Sequence, residues 1–360
     1  MNLFLFNDND SAARFGIGTY LHELIHALKG TAIRVHIVHL HAPRPEFEIE
    51  KTDDPDSEEN WYIPEVRNHH TFDGDIQKME DYYRNVIYLL RLYNKNTTEL
   101  VFHFNFNQCY TLVKGLKSTF DCKTVATIHF MKWALEFQGN LQKLRALKSK
   151  PEDLRSSFEQ LYYTTDEYEG LFYKEVDRVI ALSQYTKKLL CGEYQIDSNR
   201  ISVIPNGLKD IKTGMESKRD VLRKRWNIPK HEFLLLFVGR LNTSKGLTFL
   251  IEAFRKVLNK VPDCRLMIVG NGNIEPYIRA SKNICARISF TGFLDKNEIH
   301  ELYQIADIGV LPSLTEQCSY VIMEMMMHSL PVVTSAAPGL NEMTEDGFSS
   351  LQVPVIEHPE

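Results

Sequence analysis

The residues that could do chemistry in this chain cluster at the ends of short apolar runs. Phe233-Leu-Leu-Leu-Phe-Val-Gly-Arg240 ends in a cation, and Lys245-Gly246 follows just before a stretch with helical spacing. Two cations beside a helix N-terminus can hold a diphosphate without a metal. Further on, Glu316 follows an apolar run that ends at Pro312, and Glu324 lies about two helical turns later. Carboxylates there suit sugar and ribose hydroxyls, because they accept hydrogen bonds from diol oxygens. His129 closes the run Thr124 to Ile128, where a histidine can serve near a reacting carbon. His103 and Asn105 end the preceding run and are candidates for shaping an acceptor site. Gly270-Asn-Gly272 sits at another strand end, where glycines admit a ligand or a second backbone. Taken singly, each pattern has an ordinary alternative: solvated cations, an exposed helix face, a structural histidine, a turn.

Several other chemistries lack their fingerprints. There is no GxxxxGK[ST] loop and no GxGxxG after a strand. The six cysteines include no CxxC pair, so neither a zinc site nor another metal centre is expected. A net charge of -5 gives no global field for nucleic acid, which is not an expected partner. Scattered cysteines in a chain of 360 residues point to a reducing, cytoplasmic setting. The start of the chain has no basic region before a long apolar core, and no later run approaches the roughly 18 apolar residues of a membrane helix.

These residues must be positioned by alternating strands and helices. Leu3 to Phe6, Ile33 to Leu40, Leu100 to Phe104, Thr124 to Ile128, Glu175 to Leu182 and Ile201 to Ile204 read as strands. Gly16 to Leu28, Ile76 to Tyr93 and Gln184 to Leu190 read as helices. The acidic stretch Glu46 to Asn60 reads as a loop. Pro205-Asn-Gly207 is a turn, and the charged stretch Lys209 to Lys230 reads as a linker with a basic helix. The rhythm then restarts, with strands Phe233 to Val238, Arg265 to Val269, Ile288 to Phe290, Ile308 to Leu311 and Val332 to Thr334 and helices Leu247 to Leu258, Asn297 to Ile305 and Tyr320 to Met327. Such alternation predicts an α/β chain with two parallel-sheet domains, residues 1–207 and 208–360, and a site beyond the carboxyl ends of the strands.

The ordered set of segments resembles family 4 of the retaining glycosyltransferases, which have the GT-B fold of two Rossmann-like domains. The resemblance rests on Gly16-Ile-Gly-Thr-Tyr20, Thr127-Ile-His129, Ala181-Leu-Ser183, Ile204-Pro-Asn-Gly207, Gly239-Arg240 with Lys245-Gly246, and Gly270-Asn-Gly272. It continues through Ala306-Asp307, Leu311-Pro-Ser313, the Glu316 and Glu324 pair, Leu330-Pro-Val-Val333, and Gly339 with Glu342. Where family members often read Glu-Pro-Phe-Gly, this chain has Glu316-Gln-Cys-Ser319, and Ser319 is expected to crowd a backbone approach. Phe15 stands where the first glycine of an N-terminal pair is usual. Family members continue for several helices beyond the point of Glu360, so the C-terminal domain is expected to be shortened.

The resemblance implies roles. Arg240 and Lys245 would hold the diphosphate of a UDP- or GDP-sugar donor, and Glu316 the transferred sugar. Cys318, Ser319 and Tyr320 would offer backbone amides, and Glu324 would hold the ribose. Gly16, Gly18 and Gly270 would admit the donor, the backbone at Leu294 would border the base, and His129 would contact the donor sugar. The acceptor would be a glycan, a lipid-linked saccharide or a peptide. No cofactor is implied beyond the nucleotide-sugar co-substrate. A nucleotide-sugar epimerase and a non-catalytic sugar-nucleotide binder are the rival readings. The basic, apolar stretch Trp133 to Lys150 reads as one amphipathic helix, either solvated or in peripheral contact with an anionic membrane.

Overall fold

Among the described residues, fourteen strands form two sheets. A computed structural model describes residues 1–8, 16–51, 57–65, 76–94, 98–210 and 219–355; Phe15 lies outside them. The first sheet contains β1 (Asn2–Asp8), β2 (Arg34–Ala42), β3 (Glu48–Lys51), β4 (Ser57–Pro64), β5 (Leu100–Phe104), β6 (Cys122–Ile128), β7 (Arg178–Ala181) and β8 (Ile201–Val203). Its order is β3-β4-β2-β1-β5-β6-β7-β8. Every neighbouring pair is parallel except β3 with β4. The second sheet contains β9 (Phe233–Val238), β10 (Cys264–Val269), β11 (Ile288–Gly292), β12 (Ile308–Leu311), β13 (Val332–Ser335) and β14 (Leu351–Val353). Its order is β11-β10-β9-β12-β13-β14, parallel throughout. Parallel strands need crossovers, and helices supply them. The chain is therefore α/β, with two parallel-sheet Rossmann-like domains. One compact unit comprises Met1–Trp133 and Lys143–Gly207, the other Ala134–Gln142 and Leu208–Glu360.

Burial on both faces explains the apolar strands. Phe4 and Phe6 of β1 pack against Phe102 and Phe104 of β5, and all four are fully buried. In the second unit Leu234, Leu236 and Phe237 of β9 lie beside Leu266 and Ile268 of β10 in one core. Asp307 is part of that frame: it accepts from the Leu234 amide (2.7 Å) and pairs with Arg219 (2.6 Å), which ties the helix Arg219–Arg225 to the sheet.

Three stretches differ from their sequence reading. The acidic segment Glu46 to Asn60 contains β3 and part of β4 rather than being a loop. β4 buries Trp61 and Ile63 while Glu48 and Glu50 of the edge strand β3 pair with Arg44, so its charges mark a sheet edge. Glu175 to Leu182 is a strand only over Arg178–Ala181, because the helix Ser157–Glu175 runs into its start. That helix opens with Ser156 and Glu159 satisfying each other's backbone amides.

The third is Trp133 to Lys150, which is two helices, Lys132–Glu136 and Leu141–Ser149. Gln138 and Gly139 between them take left-handed backbone conformations (φ 54° and 81°). Trp133, Leu144 and Leu147 face the interior and are at most 5 % exposed. Lys148 pairs with Asp166, and Lys150 with Glu159. The stretch thus presents no continuous apolar face to a membrane. Among the described residues no helix is long and apolar enough to cross one.

Glu169 of the helix Ser157–Glu175 is fully buried beside Asp166. Its carboxylate accepts from the Tyr173 hydroxyl (3.1 Å) and the Lys132 amide (3.4 Å). Burial, with a smaller push from Asp166, raises it to about 7 from 4.5. The folded state therefore keeps this proton to a higher pH than the unfolded chain. Its stabilising share is present in acid and is lost as pH rises towards 7. Glu169→Gln should flatten that decline and be more stable than the parent above pH 7, by about 1–3 kcal/mol. Urea midpoints compared at mildly acidic and mildly alkaline pH measure it; an unchanged slope would show that another group controls it.

Candidate functional site

In the second unit, two loops that follow neighbouring strands are drawn to backbone contact. The loop after β9 carries Arg240 and a single turn, Thr243–Lys245, that ends on Gly246 in the left-handed region (φ 65°). A β-carbon on Gly246 would lie 2.0 Å from the Pro312 carbonyl oxygen of the loop after β12, so no larger residue fits. The Leu314 amide donates to the Ser244 carbonyl (2.8 Å) across the same gap. The Lys245 ammonium thereby meets the Glu316 carboxylate in an ion pair, with the side chains 19 % and 12 % exposed. Ser313 donates its hydroxyl to the same carboxylate oxygen (2.9 Å). Gly339 lies behind: a β-carbon there would strike the carbonyl oxygens of Glu316 and Gln317, at 2.3 and 2.5 Å.

Arg240 stands apart from this pair. Its side chain is half-buried, and it makes no ion pair among the described residues. One cation of this loop is compensated by a carboxylate, and the other has no ion-pair partner among the described residues.

The helix Tyr320–Met327 begins at Ser319, whose hydroxyl oxygen accepts from the Ile322 amide (3.4 Å). Serine here is a helix cap, which sequence reading missed. The Ser319 amide itself points at the Met343 sulfur (3.0 Å), not outward as the expected role requires. Cys318 is half-buried and Tyr320 buried beside it. Glu324 accepts from the Tyr303 hydroxyl (2.8 Å), and burial raises its carboxyl above the ordinary range, with the tyrosine bond opposing. Tyr303 comes from the helix Lys296–Ile305, and nothing in the sequence links it to Glu324. His328 caps the same helix end, its Nδ1 on the Glu324 carbonyl (2.8 Å) and its Nε2 on His300 (3.3 Å).

Gly270 and Gly272 have a structural account. Their φ values are 143° and 145°, and β-carbons would strike the carbonyl oxygens of Gly239 and Leu241, at 1.8 and 2.5 Å. They lock the loops after β9 and β10 together. Leu294 lies after β11 and packs its side chain on the core, leaving its backbone at the strand end.

In the first unit, Gly16 and Gly18 open the helix Gly16–Leu28. A β-carbon on Gly16 would meet nothing within 4 Å, so the protein itself does not demand glycine there. The same helix supplies Tyr20, whose hydroxyl bonds Thr127 of β6 (3.0 Å) and whose ring packs edge-on against His129 (4.6 Å). Thr127 also bonds His103 Nε2 (2.8 Å), and His129 Nε2 bonds Asn105 Oδ1 (3.1 Å). His103 and Asn105 are buried, 5 % and 1 % exposed, so they support the cluster from beneath. Burial lowers His103 to about 4, and burial with the neighbouring His103 lowers His129 to about 3. Both rings are neutral at physiological pH.

The two halves of the chain match known families. Residues 16–210 match Glycosyltransferase Family 4, and residues 232–359 match Glycosyl transferases group 1. The chain belongs to glycosyltransferase family 4. It is 30 % identical over 186 residues to an uncharacterised glycosyltransferase of Methanocaldococcus jannaschii, a stretch of 49 % of this chain and 46 % of that protein. It is 31 % identical over 148 residues to the alpha-D-kanosaminyltransferase of Streptomyces kanamyceticus, covering 40 % and 38 %. The lipopolysaccharide 1,2-N-acetylglucosaminetransferase of Salmonella typhimurium is 27 % identical over 183 residues, covering 48 % and 47 %. The chain thus spans less than half the length of these curated relatives. Its fold is shared with sucrose-phosphate synthase from Thermosynechococcus elongatus (TM-score 0.74, 18 % identity, covering 98 % of this chain and 86 % of that one). It is also shared with Anabaena HepE in complex with UDP-glucose (TM-score 0.68, 16 % identity, covering 98 % and 85 %).

The ion pair makes one outcome testable. Glu316→Gln removes a carboxylate and leaves the Lys245 ammonium uncompensated. Affinity for free nucleoside diphosphate, measured by calorimetry, should hold or rise. Weaker diphosphate binding in the variant would mean that Lys245 does not face the anion.

Proposed function

We propose that this chain transfers a sugar from a nucleoside diphosphate sugar to a hydroxyl of a saccharide or lipid-linked saccharide, with retention of anomeric configuration. The observation that carries this reading is the loop after β9, which holds Arg240, without an ion pair among the described residues, on the same loop as the Lys245 that pairs with Glu316. Membership of family 4 supports it. So do the names of relatives that act on lipopolysaccharide and on a diphosphoundecaprenol-linked sugar. A neighbour's complex with UDP-glucose supports a UDP-sugar as the first donor to try.

In this reading the donor diphosphate lies against Arg240 and draws Lys245 partly away from Glu316. Glu316, held by Ser313, accepts hydroxyls of the sugar, and Glu324 accepts those of the ribose. The bond from the anomeric carbon to the diphosphate oxygen breaks, and the acceptor oxygen bonds to the same face of that carbon. The acceptor's proton passes to the departing phosphate. Negative charge grows on the phosphate along this path, and fixed cations stabilise it without reorganising. No metal and no protein base is required by this path.

A hydrolysis and transfer screen across UDP-, GDP- and ADP-sugars tests the reading, with NMR of the product's anomeric configuration. A product of inverted configuration would exclude it, and conversion of the donor without transfer would favour an epimerase. Arg240→Ala should lower turnover about 100- to 1,000-fold with an unchanged urea midpoint; an active variant would remove Arg240 from the mechanism.

A further inference from the structure

His129 lies at the end of β6, half-buried, with one ring nitrogen engaged. Which nitrogen carries its proton decides what the ring can offer, and the surrounding hydrogen bonds decide that. The Asn105 side-chain amide Nδ2 donates to the Phe6 carbonyl (3.3 Å). A carbonyl can only accept, so the NH2 end of Asn105 must face Phe6 and its Oδ1 must face His129. The same Phe6 carbonyl takes the Asn105 backbone amide (3.3 Å), which fixes the residue as well as the side chain. Oδ1 can only accept, so His129 Nε2 must carry the proton. Burial, with the neighbouring His103, keeps the ring neutral, which leaves on Nδ1 a lone pair that no described residue takes up.

We propose that Asn105 is a positioning residue that holds His129 as its neutral Nε2–H tautomer, so that Nδ1 accepts a hydrogen bond from a hydroxyl of the sugar substrate. The identity of the hydroxyl partner rests on the glycosyltransferase reading; the tautomer does not. The titratable groups that face His129 among the described residues are Tyr20 and His103. Neither supplies a negative charge near neutral pH, and His103 opposes protonation. His129 is thus neither a cation for the diphosphate nor a proton donor to it. That agrees with a reaction in which the leaving phosphate takes the acceptor's proton. It also gives buried Asn105 a different task from direct contact with the acceptor.

The test is long-range 1H–15N NMR of the full chain labelled on histidine, with His129→Gln identifying the resonance. Between about pH 5 and pH 8 the wild-type ring should remain neutral with the proton on Nε2. Asn105→Leu removes the acceptor, and the Nδ1–H tautomer should appear. Asn105→Asp places a carboxylate beside Nε2 and should raise the protonation midpoint by about 1–3 pH units. A wild-type ring with its proton on Nδ1, or charged near neutral pH, would overturn the assignment without needing any variant to fold. An unchanged tautomer in Asn105→Leu would do the same. Kinetics test the hydroxyl contact separately: kcat/KM of Asn105→Asp should fall as acid protonates the ring, while the wild-type profile stays flat through that range. If the tautomer is as assigned and the two pH profiles coincide, the sugar contact fails and the tautomer stands. If no donor is turned over at all, the functional reading fails and the NMR result is untouched.

Discussion

The paired loops of the second unit depend on one steric constraint: the backbone of Gly246 lies where any β-carbon would collide with the Pro312 carbonyl. The loops after β9 and β12 can close on each other only because that atom is missing. Lys245 precedes the glycine and Glu316 follows the proline, so closure of the backbone is what brings opposite charges together. A half-buried ion pair loses hydration on both members, so geometry and a further hydrogen bond must offset the loss. Ser313 provides that bond. Gly339, Gly270 and Gly272 extend the same logic, each letting a neighbouring loop approach to a distance that a side chain forbids.

The two units solve different problems. The second gathers charge at its loop ends: a paired lysine and glutamate, a spare arginine, and a second carboxylate made less acidic by burial. The first is uncharged where His103 and His129 lie. Tyr20, Thr127, His103, Asn105 and His129 form linked hydrogen bonds, and both rings are neutral because burial penalises the cation. Charged groups therefore mark the loop ends of one unit, and neutral hydrogen-bonding groups the strand ends of the other.

Much of the frame was legible in the sequence, because buried parallel strands are written as unbroken apolar runs. Leu100–Phe104, Phe233–Val238 and Ile308–Leu311 have the predicted bounds, and so do the helices Gly16–Leu28, Ile76–Tyr93, Leu247–Leu258 and Tyr320–Met327. Edges were harder. β3 carries Glu48 and Glu50, and acidic residues at a solvent-facing edge resemble a loop in composition. The break in Trp133 to Lys150 turns on left-handed Gln138 and Gly139, which helical spacing does not encode. Strand ends flagged Arg240, Lys245 and Glu316 in the second unit and His129 in the first. The partner of Glu324 was illegible, because Tyr303 reaches it through folding and not through proximity in sequence, whereas Ser313 lies only three residues before Glu316. Ser319 was read as a steric departure from glycine, and its capping bond supplies the local reason for serine.

The segment Ala134–Gln142 groups with the second unit although the chain on either side of it groups with the first. Gly139 in that segment lies where a β-carbon would be 2.9 Å from the Leu314 carbonyl, two residues before Glu316. The polypeptide therefore passes between its two units three times. A fragment cut to begin at Leu208 would lack a piece of its own wall, next to the loop that carries Glu316. Splitting this protein into independently expressed halves calls for the short segment to be grafted onto the second half, not for a single cut.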